Sequence, residues 1–321
     1  MVFEEVFYLP GSMSERETAM KVKLGFIGAG TVGTALAVGL SRKGYPIAAV
    51  SSRSPASAER LSTATGGCRV FSDSQAVADK ADLIFITTPD DVIPCVATQV
   101  QWHSGQSAVH CSGADSTDTL EPARRSGAQT GAFHPLQTFA TLDQAIQNLP
   151  GSTFALEAQG PLLATLKEMV TALNGQWIEL KPGDKVLYHA AAVMACNYLV
   201  TLVKLATDLW QAFGIPQREA TQALLPLLRG TLNNLETVGL PHCLTGPVAR
   251  GDLGTIRKHL LAFEQTAPGL LSTYKELGAQ AIPIALAKGR IDEARAEELS
   301  ALLGASDKSG RKTDGEILRV A

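Results

Sequence analysis

The run Gly28-Ala29-Gly30-Thr31-Val32-Gly33 follows a short apolar segment, residues 22–27, and opens a helical pattern that lasts to about Lys43. An apolar run of that length that stops at glycine reads as a buried strand of a parallel sheet. The spacing G-x-G-x-x-G is weak by itself, but between a strand and a helix it has a physical meaning. Gly28 permits the tight turn, Gly30 lets the backbone approach a pyrophosphate, and Gly33 lets the helix pack close to the strand. Ala29, Thr31 and Val32 complete the set expected to bind a cofactor. The helix start offers free N–H groups and a positive dipole end to phosphates.

The strand-helix alternation continues. Gly44-Tyr45-Pro46 turns the chain into a strand at 47–50, and a helix is expected at 58–65. Further strands are expected at 81–87, 106–111, 130–133, 152–156 and 176–180, the last two flanking a helix at 161–173. This pattern predicts an α/β doubly wound sheet, a Rossmann domain. At Lys181-Pro182-Gly183 the character changes to all-α, with helices at about 184–213, 216–237, 255–266, 269–286 and 291–303. The expected division is an extension at 1–20, the Rossmann domain at 21–181, a helical substrate and dimerisation domain at 182–304, and a polar tail at 305–321.

Composition excludes several partners. A formal net charge of −3 over 321 residues gives no reason to expect nucleic acid or an anionic membrane. The five cysteines, Cys68, Cys95, Cys111, Cys196 and Cys243, are odd in number and widely spaced. That fits free thiols in a reducing, cytoplasmic compartment. The first twenty residues carry acids and no long apolar core, so they do not read as a signal peptide. Residues 186–203 lack Asp, Glu, Lys and Arg and just reach the length of a membrane span. They also hold His189, Asn197, Tyr198 and Thr201, and a nucleotide domain precedes them. The reading is therefore a helix buried in a domain or dimer core, and a homodimer.

The cofactor choice is read after the second strand. An NAD-preferring domain places an acid about twenty residues beyond the glycines. Here Ser52, Arg53 and Ser54 precede Pro55, with no acid until Glu59. Arg53 suits a 2′-phosphate, and Ser54 as N-cap starts a second anion-friendly helix. NADP is the expected cofactor. Thr87, Thr88 and Pro89 follow one later strand, and Ser112 and Gly113 another. Ligands of open α/β sheets bind outside the carboxyl ends of strands, so these loops are expected to line the nicotinamide end, with Ser112 hydrogen-bonding a substrate oxygen.

Four passages carry a resemblance: GFIGAGTVGTAL, GAFHPLQTF, YHAAAVMACNYL and LTGPVARGD. The chain resembles a family of Rossmann-like proteins with a C-terminal helical domain of unknown function. The wider layout is similar to ketopantoate reductase, pyrroline-5-carboxylate reductase, 6-phosphogluconate-type dehydrogenases, prephenate dehydrogenase and deazaflavin-linked NADP reductases. The resemblance implies reduction or oxidation of a small, often carboxylated substrate between two domains, and dimerisation through the helical one. Several relatives carry a catalytic lysine on the long helix, with an asparagine four residues later. Here the helix starts with Lys185 and the polar residues inside it are His189 and Asn197, so imidazole chemistry is the alternative.

Hydride reduction needs a proton donor, and histidine serves near neutral pH. His103 and His259 sit in polar surroundings, His110 reads as core, and His242 lies in a loop. His134 is expected directly after a strand, held by Pro135, and resembles the substrate-facing His-Pro turn of prephenate dehydrogenases. His189 and Asn197 are eight residues apart, offset by about 80° on a regular α-helix, and are expected to face one cleft. Their alternative is a structural hydrogen-bonded pair. Thr245 is a further cleft contact, Arg250 a clamp for a substrate carboxylate, and Asp252 a helix cap. No metal is expected. The function expected is an NADP(H)-dependent oxidoreductase of a small oxo- or imino-acid, with ketopantoate the first candidate. The rival is a non-catalytic NADPH-binding redox sensor.

Overall fold

A computed structural model describes residues 22–304. The expected extension at 1–20 and tail at 305–321 lie outside the described residues. The chain divides into two compact units between Cys196 and Asn197.

The first unit is built on eight strands: β1 (Leu24–Ile27), β2 (Ile47–Ser51), β3 (Arg69–Phe71), β4 (Leu83–Ile86), β5 (Ser107–His110), β6 (Gln129–Leu136), β7 (Thr153–Glu157) and β8 (Gln176–Glu179). Their order is β3-β2-β1-β4-β5-β6-β7-β8. The first six have the doubly wound order, whose direction switches between β1 and β4. Every neighbouring pair is parallel except β6 with β7. Strands β1 and β4, LGFI and LIFI, are buried at every position, which is why they read as apolar runs rather than alternating ones.

A row of aromatic rings ties the strands together. Phe26 stacks on Phe85 at 5.2 Å, Phe85 meets Phe133 edge-on at 5.6 Å, and Phe133 meets Phe154 at 4.8 Å. All four are fully buried, and each such side chain contributes about 1.5–3 kcal/mol through burial.

Two local expectations need correction. β3 was not expected, because its three residues, one exposed and two half-buried, form no apolar run. β6 runs three residues further than the sequence pattern predicts, so His134 and Pro135 lie within the strand and not at a turn after it. β5 pairs only with residues up to Ala132. Pro135 therefore has no ladder partner on that side that needs its missing N–H, while β7 pairs with it on the other.

The helical run Lys185–Ala192, Val193–Asn197 and Tyr198–Gln211 has a π turn as its middle segment. It is long and apolar enough to cross a membrane by length and composition, with mean hydropathy 1.7. The expectation that its own domain buries it is not met. Val186, Met194 and Val200 are exposed, because the apolar side chains point all round the helix and the chain covers few of them.

In the second unit, helices Tyr198–Gln211 and Gln217–Thr237 pack on one another. Helices Leu253–Thr266, Leu271–Ala287 and Glu293–Leu303 enclose a small core of Ile256, Leu260, Ile282, Ala296, Leu299 and Leu303. Asp252 caps the first of these through the N–H of Thr255 at 3.0 Å, as expected, and Asp292 caps the last through Arg295 at 2.9 Å.

Candidate functional site

The carboxyl ends of β1, β2 and β4 open into a cleft of about 490 Å³. Gly28, Ala29, Gly30, Ser52, Arg53, Ser54, Thr87, Thr88 and Pro89 line it. Thr31, Val32 and Gly33 stand behind this wall, in the first turn of helix Thr31–Arg42. Gly28 has φ +109°, a left-handed conformation that a side chain would strain, and a β-carbon there would stand 2.7 Å from the Thr87 backbone. Thr87 fastens the turn by donating from Oγ1 to the Gly28 carbonyl at 2.7 Å. A β-carbon on Gly33 would collide with Thr87 Oγ1, so the glycine sets the close helix approach. Above Gly30 the space is open, and helix Thr31–Arg42 starts there without a side-chain cap.

At the β2 end, Ser54 caps helix Pro55–Ala64, accepting from the N–H of Ser57 at 3.3 Å. Ser57, Ser72 and Ser74 extend the hydroxyl-lined wall beyond what the sequence singled out, although the repeat Ser54-x-x-Ser57 was readable. Arg53 is exposed and, among the described residues, makes no ion pair or hydrogen bond. The hydroxyl of Thr88 is buried with no partner. An open glycine step, an uncapped helix start, an unpaired cation and an orphaned hydroxyl fit a dinucleotide with an extra phosphate.

A second cluster of polar groups forms where β5 and β6 meet helix Lys185–Ala192. Ser112 is buried, and its hydroxyl lies 2.8 Å from Asp90 Oδ2 and 3.2 Å from Asp115 Oδ2 while accepting from the N–H of Asp115 at 3.0 Å. This hydroxyl, expected to face a substrate oxygen, holds its loop together instead. The Ser112 carbonyl accepts from Lys185 Nζ at 2.7 Å.

Lys185 is 1% exposed. Burial lowers its pKa, opposed by the charges of Glu157, Cys111, Asp115 and Asp90. Glu157, at the end of β7, accepts from Thr117 through Oε1, and its Oε2 is buried without a partner. Lys185 and His189 are four residues apart on one helix face, a spacing that, with the lysine several relatives carry on this helix, draws Lys185 towards the site.

His110 is core, as expected. Its Nδ1 accepts from the N–H of Ser112 at 3.2 Å and its Nε2 lies 3.2 Å from the Ser116 carbonyl. Burial, then Lys185, lowers its pKa to about 3. Cys111 is pushed up to about 12 by burial.

His134 and His189 do come together, with ring centroids 5.9 Å apart at 87°. They meet over Gly113, where a β-carbon would collide with His189 Nδ1 and stand 2.9 Å from His134 Nε2. Burial, then the charges of Lys185 and His189, lowers the pKa of His134 to about 4. Tyr188, which the sequence reading passed over, has its hydroxyl 2.7 Å from His134 Nδ1. Burial raises its pKa to about 12.

Asn197, Thr245 and Arg250 belong to the second unit and are exposed. The 80° offset expected between His189 and Asn197 does not hold, because the π turn Val193–Asn197 breaks the regular α-helical spacing between them. Arg250 lies 4.0 Å from Asp252 in an open ion pair. Among the described residues no group of three or more His, Cys, Asp or Glu gathers as a metal site needs.

Comparison with known proteins gives a consistent fold. Over 82% of this chain and 98% of the other, the structure is similar to one from Bacteroides fragilis described as a candidate NADP oxidoreductase, BF3122, with 24% identity and a TM-score of 0.65. It is similar to protein TM1727 of Thermotoga maritima over 83% and 100%, with 25% identity and a TM-score of 0.69. A reductive aminase from Aspergillus terreus, in complex with NADPH and ethyl-5-oxohexanoate, matches over 91% and 95%, with 16% identity and a TM-score of 0.58. No curated protein matches the chain. A family model for a Rossmann-like domain matches residues 10–135, and one for a domain of unknown function, DUF2520, matches residues 152–281. The two matches follow one another along the chain, the Rossmann-like one first.

Proposed function

We propose that this protein is an NADP(H)-dependent oxidoreductase that reduces the C=O or C=N bond of a small oxo- or imino-acid. The observation that carries this reading is the convergence of His134 and His189 at the carboxyl end of β5, in a sheet whose β1, β2 and β4 ends form the glycine and Arg53 cleft. Ligands of such sheets bind outside the carboxyl ends of the strands. The similar structures support it: an NADP oxidoreductase, a reductive aminase with NADPH, an imine reductase and a pyrroline-5-carboxylate reductase.

In this reading Gly28–Gly30 and the start of helix Thr31–Arg42 hold the pyrophosphate, and Arg53 with Ser52 and Ser54 holds the 2′-phosphate. When bound, the nicotinamide supplies a hydride to the substrate carbon. The protein supplies the proton to the product oxygen or nitrogen from His189 or His134. Lys185 fixes the Ser112–Gly113 loop against which both rings rest. The exposed apolar face of the Lys185–Gln211 helix is covered by a second copy in a homodimer, and the free cysteines support a reducing, cytoplasmic compartment.

The test is NADPH oxidation measured across a panel of 2-oxo acids and cyclic imines, ketopantoate included. Turnover of at least one is expected, and His189→Gln is expected to lower it about 100-fold with NADPH binding intact. Tight NADPH binding with no turnover across the panel would favour the sensor.

A further inference from the structure

The two imidazoles have a companion that decides where one of their protons sits. Tyr188 stands on helix Lys185–Ala192, one residue before His189, with its ring edge-on to that of His134 at 5.5 Å and 87°. Its hydroxyl reaches His134 Nδ1 at 2.7 Å and has, among the described residues, no other hydrogen-bond partner. A phenol hydroxyl has a single hydrogen to donate, and a neutral imidazole has one nitrogen bearing hydrogen and one free to accept. The groups that face His134 are Tyr188, His189, Lys185 and His110. None of them is a carboxylate that would draw a second proton onto the ring. Near neutral pH both partners are thus uncharged, and among the described residues Nδ1 is the acceptor within reach of the phenol.

We propose that Tyr188 is a positioning residue for proton delivery: its O–H donates to Nδ1 of His134 and keeps the ring hydrogen on Nε2, the nitrogen that meets the bare α-carbon of Gly113 beside His189. The assignment rests on the reductase reading for its purpose and on geometry alone for its content. In a reduction, the Nε2–H bond breaks as the O–H or N–H bond of the product forms. The Tyr188 proton shifts to Nδ1 as this happens and returns to the phenol when Nε2 takes a proton from water, which restores the starting tautomer. Gly113 is the third part of the device. Its missing side chain lets both rings approach, and it leaves His189 Nδ1 buried beside it with no hydrogen-bond partner among the described residues.

The experiment uses the full chain labelled with ¹⁵N-histidine. Two-bond ¹H–¹⁵N correlation spectra are recorded from about pH 5 to 8, the range in which an ordinary imidazole titrates, and His134→Gln identifies the resonance. The expected result is a His134 locked in the Nε2–H form and neutral throughout. Tyr188→Phe, checked as folded by circular dichroism, is expected to mix the two tautomers. A wild-type His134 with its hydrogen on Nδ1 would overturn the proposal, and so would a Tyr188→Phe spectrum identical to the wild type. If Tyr188→Phe does not fold, the wild-type tautomer alone decides. The spectra need no turnover, so a failed substrate panel would count against the reductase reading while leaving this result standing.

Discussion

In the first unit Phe26, Phe85, Phe133 and Phe154 are fully covered, while in the second Val200, Leu227 and Leu232 stand 70%, 66% and 55% exposed. The difference follows from architecture. A doubly wound sheet has helices on both faces, so its strands are apolar on both sides and the core closes within the chain. The helices Tyr198–Gln211 and Gln217–Thr237 pack on each other and leave many of their apolar side chains exposed. Contiguous apolar surface of this kind marks an interface in proteins that function in water. In the proposed reading the first unit carries the chemistry, and the exposed apolar side chains from Val186 onward, most of them in the second unit, are the surface for assembly.

The comparison can be broken at its strongest point. Phe133→Ala is expected to cost about 3–5 kcal/mol in denaturant unfolding, the scale of a large core truncation. A cost under about 0.5 kcal/mol, the scale of a surface change, would mean that the aromatic row does not hold the sheet. On the other side, sedimentation at micromolar concentration is expected to show a dimer. Val200→Asp is expected to shift it to monomer by placing an unpaired charge in the interface. A wild-type monomer would remove the second copy as the cover for this helix.

What the sequence made legible follows the same division. β1, β4 and the glycine turn could be read because local rules govern them: an apolar run, a glycine where φ is positive, a helix start. β3 could not, since Arg69–Phe71 offers one exposed and two half-buried residues and no apolar run. The antiparallel pairing of β7 was equally hidden, because strand direction is set by the connection and not by the strand's own residues. In the site, His134 and His189 stood out as polar residues in apolar passages. Lys185 read as a helix-opening charge, and its role depends on a carbonyl 73 residues away in sequence. Tyr188 was not singled out. Only the fold shows its hydroxyl at His134.

The central claim is that the cleft at Gly28–Gly30 and Arg53 holds NADP(H). Fluorescence titration of the full chain with NADPH and NADH tests it most directly. NADPH is expected to bind more tightly, and Arg53→Ala to lose about 1.5–3 kcal/mol of NADPH affinity, the scale of a charge-assisted bond, with NADH little changed. Equal or tighter binding of NADH by the wild type, or an Arg53→Ala variant that keeps its preference for NADPH, would contradict the account.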